Sequence, residues 1–189
     1  MKTFPLVAGV CFLFLAEASK AATAHITWTF KPGVDNYVND QTKLAFLKSI
    51  GGFQLREKNL ARDDGGASFT YSGKYGIISV WFTHRGIMGC GKGVDCAAGQ
   101  VAGFRGEMKK LHGKYDLERS FGLQRSGSPR GRGAMFHFLA SPLFHMPVYS
   151  EVGAFDVGEF VYCYRATFMD KAGLNDLAAF LRAFGVKKV

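Results

Sequence analysis

Strict alternation of apolar and polar residues is the pattern that recurs most along this chain. His25-Ile-Thr-Trp-Thr-Phe30 places an apolar residue at every second position, which predicts a half-buried strand. Lys31-Pro-Gly then turns the chain. From Asn39 or Asp40 as cap, the spacing of Leu44, Leu47 and Ile50 predicts a helix that ends at Gly51-Gly52. A meander follows. Phe53-Gln-Leu-Arg-Glu, Ser68-Phe-Thr-Tyr-Ser and Ile77-Ile-Ser-Val-Trp-Phe-Thr83 read as strands separated by turns at 62–66 and 72–76. Strands joined by turns this short pair antiparallel, because parallel pairing needs a long crossover.

The middle of the chain alternates less clearly. Val101 to Leu111 fits a helix with Phe104, Met108 and Leu111 inward. Gly103 and Gly106 weaken it by about 1 kcal/mol each relative to Ala. Gln124-Arg-Ser-Gly-Ser-Pro-Arg-Gly-Arg-Gly133 has no periodicity and reads as a basic loop. Strand patterns return at Ala134–Ala140 and at Phe160–Phe168, where Phe160, Tyr162, Tyr164, Ala166 and Phe168 share a face. Asp170 caps a final helix whose buried stripe is Leu174, Leu177, Ala178, Leu181 and Phe184, with Gly185 as its stop. These elements predict a single α+β domain, an antiparallel sheet packed on two or three helices including a C-terminal one.

The first residues break the pattern altogether. Lys2 precedes an unbroken apolar run from Leu6 to Ala16, and small residues follow. That order is the anatomy of a secretory signal peptide. The run is too short for a bilayer, which takes about 20 residues, and no second long apolar stretch exists. Cleavage after Ala18, Ala21 or Ala24 satisfies the small-residue requirement. We take residues 1–21 as the signal and 22–189 as the secreted, extracellular domain. A cut after Ala24 would place His25 first. No Asn-x-Ser/Thr sequon occurs.

Charge changes the picture next. The chain carries 24 Lys and Arg against 15 Asp and Glu, and the signal removes Lys2, Lys20 and Glu17, leaving +8. An excess of that size favours anionic partners, and the partner expected is an anionic surface, nucleic acid or a host protein. Cys11 belongs to the signal, so Cys90, Cys96 and Cys163 remain. Secretion favours one disulfide. The glycines of Gly-Cys-Gly-Lys-Gly-Val-Asp-Cys96 favour Cys90 with Cys96, while Cys163 reads as a buried strand residue; pairing of Cys163 with either of the others is the alternative.

Candidate chemistry is sparse. Gly86-Ile-Met-Gly-Cys-Gly-Lys92 has phosphate-loop spacing, but Gly93 stands where a magnesium-binding Ser or Thr belongs. Arg125, Arg130 and Arg132, with Lys109, Lys110 and Lys114, form a candidate anion-binding set. No histidine pair has zinc-ligand spacing, and nothing calls for a metal or a cofactor. The expected function is therefore that of a secreted, effector-like binding protein, a host-directed virulence or interaction factor without enzymatic activity. The alternative is a small ribonuclease using His84, His137 and a carboxylate, Glu107 or Glu118, since that reaction needs an acid, a base and a cation for the phosphate.

Overall fold

Twelve strands and two helices make up the described residues of the computed structural model, which are 30–32, 36–39, 43–60, 66–90, 95–112, 114–125 and 131–189. The signal segment, Cys11, His25, Lys92, Gly93 and Arg130 lie outside them. In chain order the elements are β1 (Phe30–Pro32), β2 (Asn36–Asn39), β3 (Ala45–Leu47), β4 (Ser49–Ile50), β5 (Phe53–Leu60), β6 (Gly66–Ser72), β7 (Gly76–His84) and α1 (Cys96–His112). They continue as β8 (Leu117–Arg125), β9 (Gly131–Phe138), β10 (Val148–Val157), β11 (Phe160–Phe168), α2 (Gly173–Ala183) and β12 (Val186–Lys188). Nine strands pair antiparallel in the order β12-β8-β9-β10-β11-β7-β6-β5-β4, and β1, β2 and β3 form a small second sheet.

Strand alternation sorts the core into two layers. Phe160, Tyr162, Tyr164, Ala166 and Phe168 of β11 all face one way, as the sequence predicts, and pack with Phe82, Phe69 and Tyr71 against Leu177, Phe180, Leu181 and Phe184 of α2 or just beyond it. Phe46 of β3 joins this layer, its ring stacked on Phe69 at 4.1 Å. Val161 and Cys163 face the other way, with Val152, Ala154, Ala134, Phe136 and Phe138, against Val101 and Met108 of α1. Each fully buried Phe contributes about 1.5–3 kcal/mol of transfer free energy, so the aromatic content alone accounts for a well-formed core.

The fold is predominantly β, not α+β. The helix predicted over 39–50 is not found: among its described residues Asn39 ends β2, and β3 and β4 occupy 45–47 and 49–50. Leu44 and Phe46 are both buried, a period of two that places Phe46 in the aromatic layer. Gly51 and Gly52 do not stop a helix. They are the two-residue loop of a β4–β5 hairpin, pairing Ile50 with Phe53, and both have positive φ (52° and 86°), the backbone such a turn demands. The loop predicted over 124–133 is also shorter, since β8 continues to Arg125 and β9 starts at Gly131. Besides β3 and β4, the strands β2, β8, β10 and β12 carry no strand prediction. Only two helices occur among the described residues. The C-terminal one ends at Phe184-Gly185 as expected, but the Asp170 carboxylate takes the Ala172 N–H (2.8 Å) in the turn before α2 and does not cap the helix itself.

Candidate functional site

Register fixes where each candidate side chain lies. Along one row of the sheet stand His84 of β7, Phe160 of β11 and Val157 of β10; along another stand Gly76, Phe168, Tyr149 and His137 of β9. The two rows are eight strand residues apart, roughly 25 Å along the strand direction. His84 and His137 are therefore at opposite ends of the sheet. Glu107 belongs to α1, which covers the opposite face. The three residues of the ribonuclease alternative are not brought together.

At the His84 end, charges close on one another. The His84 imidazole lies 3.5 Å from the Glu159 carboxylate, and its Nδ1 accepts the Gly86 N–H (3.1 Å). Arg85 pairs with Asp156 at 3.2 Å, and burial pushes the Asp156 carboxyl up against the opposing pull of Arg85. Arg132 Nε donates to Asp95 (2.9 Å). Asp95 also caps α1 by accepting the Ala98 N–H (2.9 Å), and that bond followed by Arg132 holds its carboxyl below the usual range. Cys90 and Cys96 bridge the entry to α1 with their Cα atoms 5.9 Å apart, a disulfide spacing. Cys163 is a buried core residue, and burial pushes its thiol up to about 12.

The predicted arginine set does not form one cradle. Arg125 pairs in register with Val186 and extends toward the α2 layer, where its Nε donates to the Phe184 carbonyl (3.0 Å). Arg132 extends toward the α1 layer and Asp95. Alternation sends the two guanidinium groups to opposite faces, each already bonded within the domain. Lys109 and Lys110 sit elsewhere again, exposed in the last turn of α1, which runs from Asp95 to the far end of the sheet. There the helix carbonyls favour cations.

That far end carries a feature the sequence reading passed over. Between β9 and β10 the chain makes a loop, Leu139-Ala-Ser-Pro-Leu-Phe-His-Met-Pro147, in which every residue but Ser141 is exposed. Leu139, Leu143, Phe144 and Met146 are 62%, 48%, 39% and 38% exposed, so four large apolar side chains share one short surface segment. Buried Ser141 anchors it. Its backbone takes the Phe144 and His145 N–H groups (3.2 and 2.7 Å) and donates to Met146 O (3.1 Å), and its hydroxyl meets His112 Nδ1 at 2.8 Å. His145 adopts φ 54°, uncommon for a residue with a side chain. The His112 ring lies against Phe138 and Phe144, with centroids 4.8 and 6.1 Å away, and burial, reinforced by Arg165, pushes its imidazole down to about 4. Exposed Lys109 and Lys114 flank His112 in sequence. His137 shares this end, stacked on Tyr149 at 4.4 Å and bonded to Asp116 at 3.0 Å.

The signal for this loop was present. Pro142 and Pro147 bracket apolar residues that cannot continue a central strand, because proline offers no N–H to the ladder. No known protein family matches the chain, and no curated protein matches it.

Proposed function

We propose that this chain is a small basic binding protein, exported by its producer, which engages an anionic partner through the end of the sheet formed by the 139–147 loop and the C-terminal turn of α1. The observation that carries the reading is the juxtaposition of exposed Leu143 and Phe144 with the exposed Lys109 and Lys114 on either side of His112. Large exposed apolar groups beside cations mark contact surfaces more often than solvated faces. The leader at residues 1–21 and the net charge of +8 that its removal leaves support action outside the cell. That is the setting of a host-directed, effector-like interaction factor. The separation of His84, His137 and Glu107 supports a non-enzymatic role over the ribonuclease alternative, as does the closure of the His84-end charges into pairs.

The test compares the two ends. Retention on immobilised heparin is measured for the parent chain, for Lys109→Gln with Lys114→Gln, and for Arg125→Gln with Arg132→Gln. The lysine pair elutes at clearly lower salt and keeps the parent melting temperature. The arginine pair melts lower, because both side chains hold internal bonds, and loses less retention. Equal retention for the parent and the lysine variant would refute the reading.

A further inference from the structure

We infer that the 139–147 loop is a lipid-docking tip, which seats Leu139, Leu143, Phe144 and Met146 in the interfacial region of an anionic bilayer while Lys109 and Lys114 meet the headgroup charge. The inference rests on the binding reading above and names the partner of the same site.

Three observations lead to a bilayer. The apolar side chains are held outward by an ordered backbone: Ser141 is buried and bonded to His112, and the Ser141–Met146 bonds close the loop, so the exposure is built in. The loop carries no carboxylate, and Asp116, where the chain approaches β8, is engaged by His137. Cations then flank the apolar group, and the chain as a whole is basic. An apolar tip of a few residues with lysines behind it is what an anionic membrane surface selects, because insertion depth and headgroup attraction are satisfied together. Of the four apolar side chains three are aliphatic, which suits acyl chains better than the stacked bases of a nucleic acid. No helix among the described residues is long and apolar enough to cross a membrane, so the contact is interfacial.

Flotation of the domain without its leader, residues 22–189, with vesicles tests this. The chain rises with vesicles rich in phosphatidylglycerol and stays behind with pure phosphatidylcholine. Lys109→Gln with Lys114→Gln weakens binding about 25-fold, at about fivefold per lysine. Leu143→Ser with Phe144→Ser weakens it more than about tenfold at unchanged net charge. As a second readout, Leu143→Trp shows blue-shifted emission on the anionic vesicles relative to the parent, whose own two tryptophans supply the background. Undiminished flotation of the serine variant, or unshifted Leu143→Trp emission, overturns the tip. If no form floats while lysine-dependent heparin retention persists, the lipid assignment falls and the anionic-binding reading stands; if both fail, both fall. If sedimentation instead reports a dimer abolished by Phe144→Ser, with no flotation, the loop is a self-association face and the lipid assignment is wrong.

Discussion

Glu151 at the buried centre of β10 accepts a hydrogen bond from Lys188 of the edge strand β12 at 2.5 Å, and Tyr164 donates to its other oxygen at 2.8 Å. Burial pushes the Glu151 carboxyl up, and Lys188 and Tyr164 oppose that shift. The penultimate residue of the sequence thus makes a charge at the middle of the sheet tolerable. Lys188→Met removes the compensation and destabilises the domain by about 2–4 kcal/mol in urea unfolding near pH 8. A buried carboxyl with a raised folded pKa loses stability as pH rises through that value, so the deficit of the variant shrinks as pH falls. A deficit independent of pH would show that Lys188 acts through packing alone.

Gly153 sits beneath the Tyr164 ring: a Cβ there would come within 2.4 Å of Tyr164 Cε1, and both positions are fully inside the sheet. Gly153→Ala forces the ring off the position from which it reaches Glu151. The expected loss is about 2–3 kcal/mol with a retained fold, read as a lower urea midpoint at an unchanged slope.

His112 makes the loop end sensitive to acid. Its folded pKa of about 4 lies below the ordinary value of 6.5, so the unfolded chain binds the extra proton first. Stability is complete above about pH 6.5 and falls by up to about 3 kcal/mol as pH drops toward 4. His112→Phe removes that slope. Melting temperatures of parent and variant between pH 4 and 7 decide the matter, and parallel curves would exclude His112 as the source.

Cys163 is buried with its thiol pushed up to about 12, so no appreciable thiolate exists at neutral pH. Among the described cysteines, iodoacetamide leaves the folded protein unmodified and adds one group after unfolding without reductant, with Cys90 and Cys96 in the bridge. Two additional adducts in the unfolded, unreduced sample would mean that the bridge does not form.

Arg125 anchors the edge near α2 through its bond to the Phe184 carbonyl. Arg125→Ala costs about 1 kcal/mol, measured by chemical denaturation. A neutral outcome would place Arg125 among the solvated charges of the 124–133 segment, as its composition suggested.

How much could be read in advance depended on whether a strand follows the simple alternation. β6, β7 and β11 do: β11 has the predicted limits, β6 and β7 are one or two residues longer at an end, and their shared face matches the pattern, whereas β5 starts at Phe53 as predicted but runs on through a bulge to Leu60. β10 does not. Nearly all of its residues are buried because helices cover both faces, and it includes Glu151, Gly153 and Asp156, residues that ordinarily argue against a buried strand. Each is explained by a partner distant in sequence: Lys188 and Tyr164 for the first, the Tyr164 ring for the second, Arg85 for the third. Gly51-Gly52 was visible but has two readings, helix stop and hairpin loop, and the burial of Phe46 decided between them. At the candidate site, the lysines of α1 were legible as charge. Their apolar companions were not, because only the pairing of β9 with β10 brings the loop up to His112.

The sheet's flank at β5 has one more consequence. β4 is two residues long and pairs only with Phe53 and Gln54, so among the described residues most of the outer edge of β5, the side away from β6, has no strand paired to it. An uncovered strand is a template for recruitment of other chains into fibrils. Here the bare stretch carries Arg56, Glu57 and Lys58, and a bulge between Leu55 and Glu57 breaks its repeat. Copies of the chain that meet along this edge find a charged, kinked margin with nothing flat to stack upon.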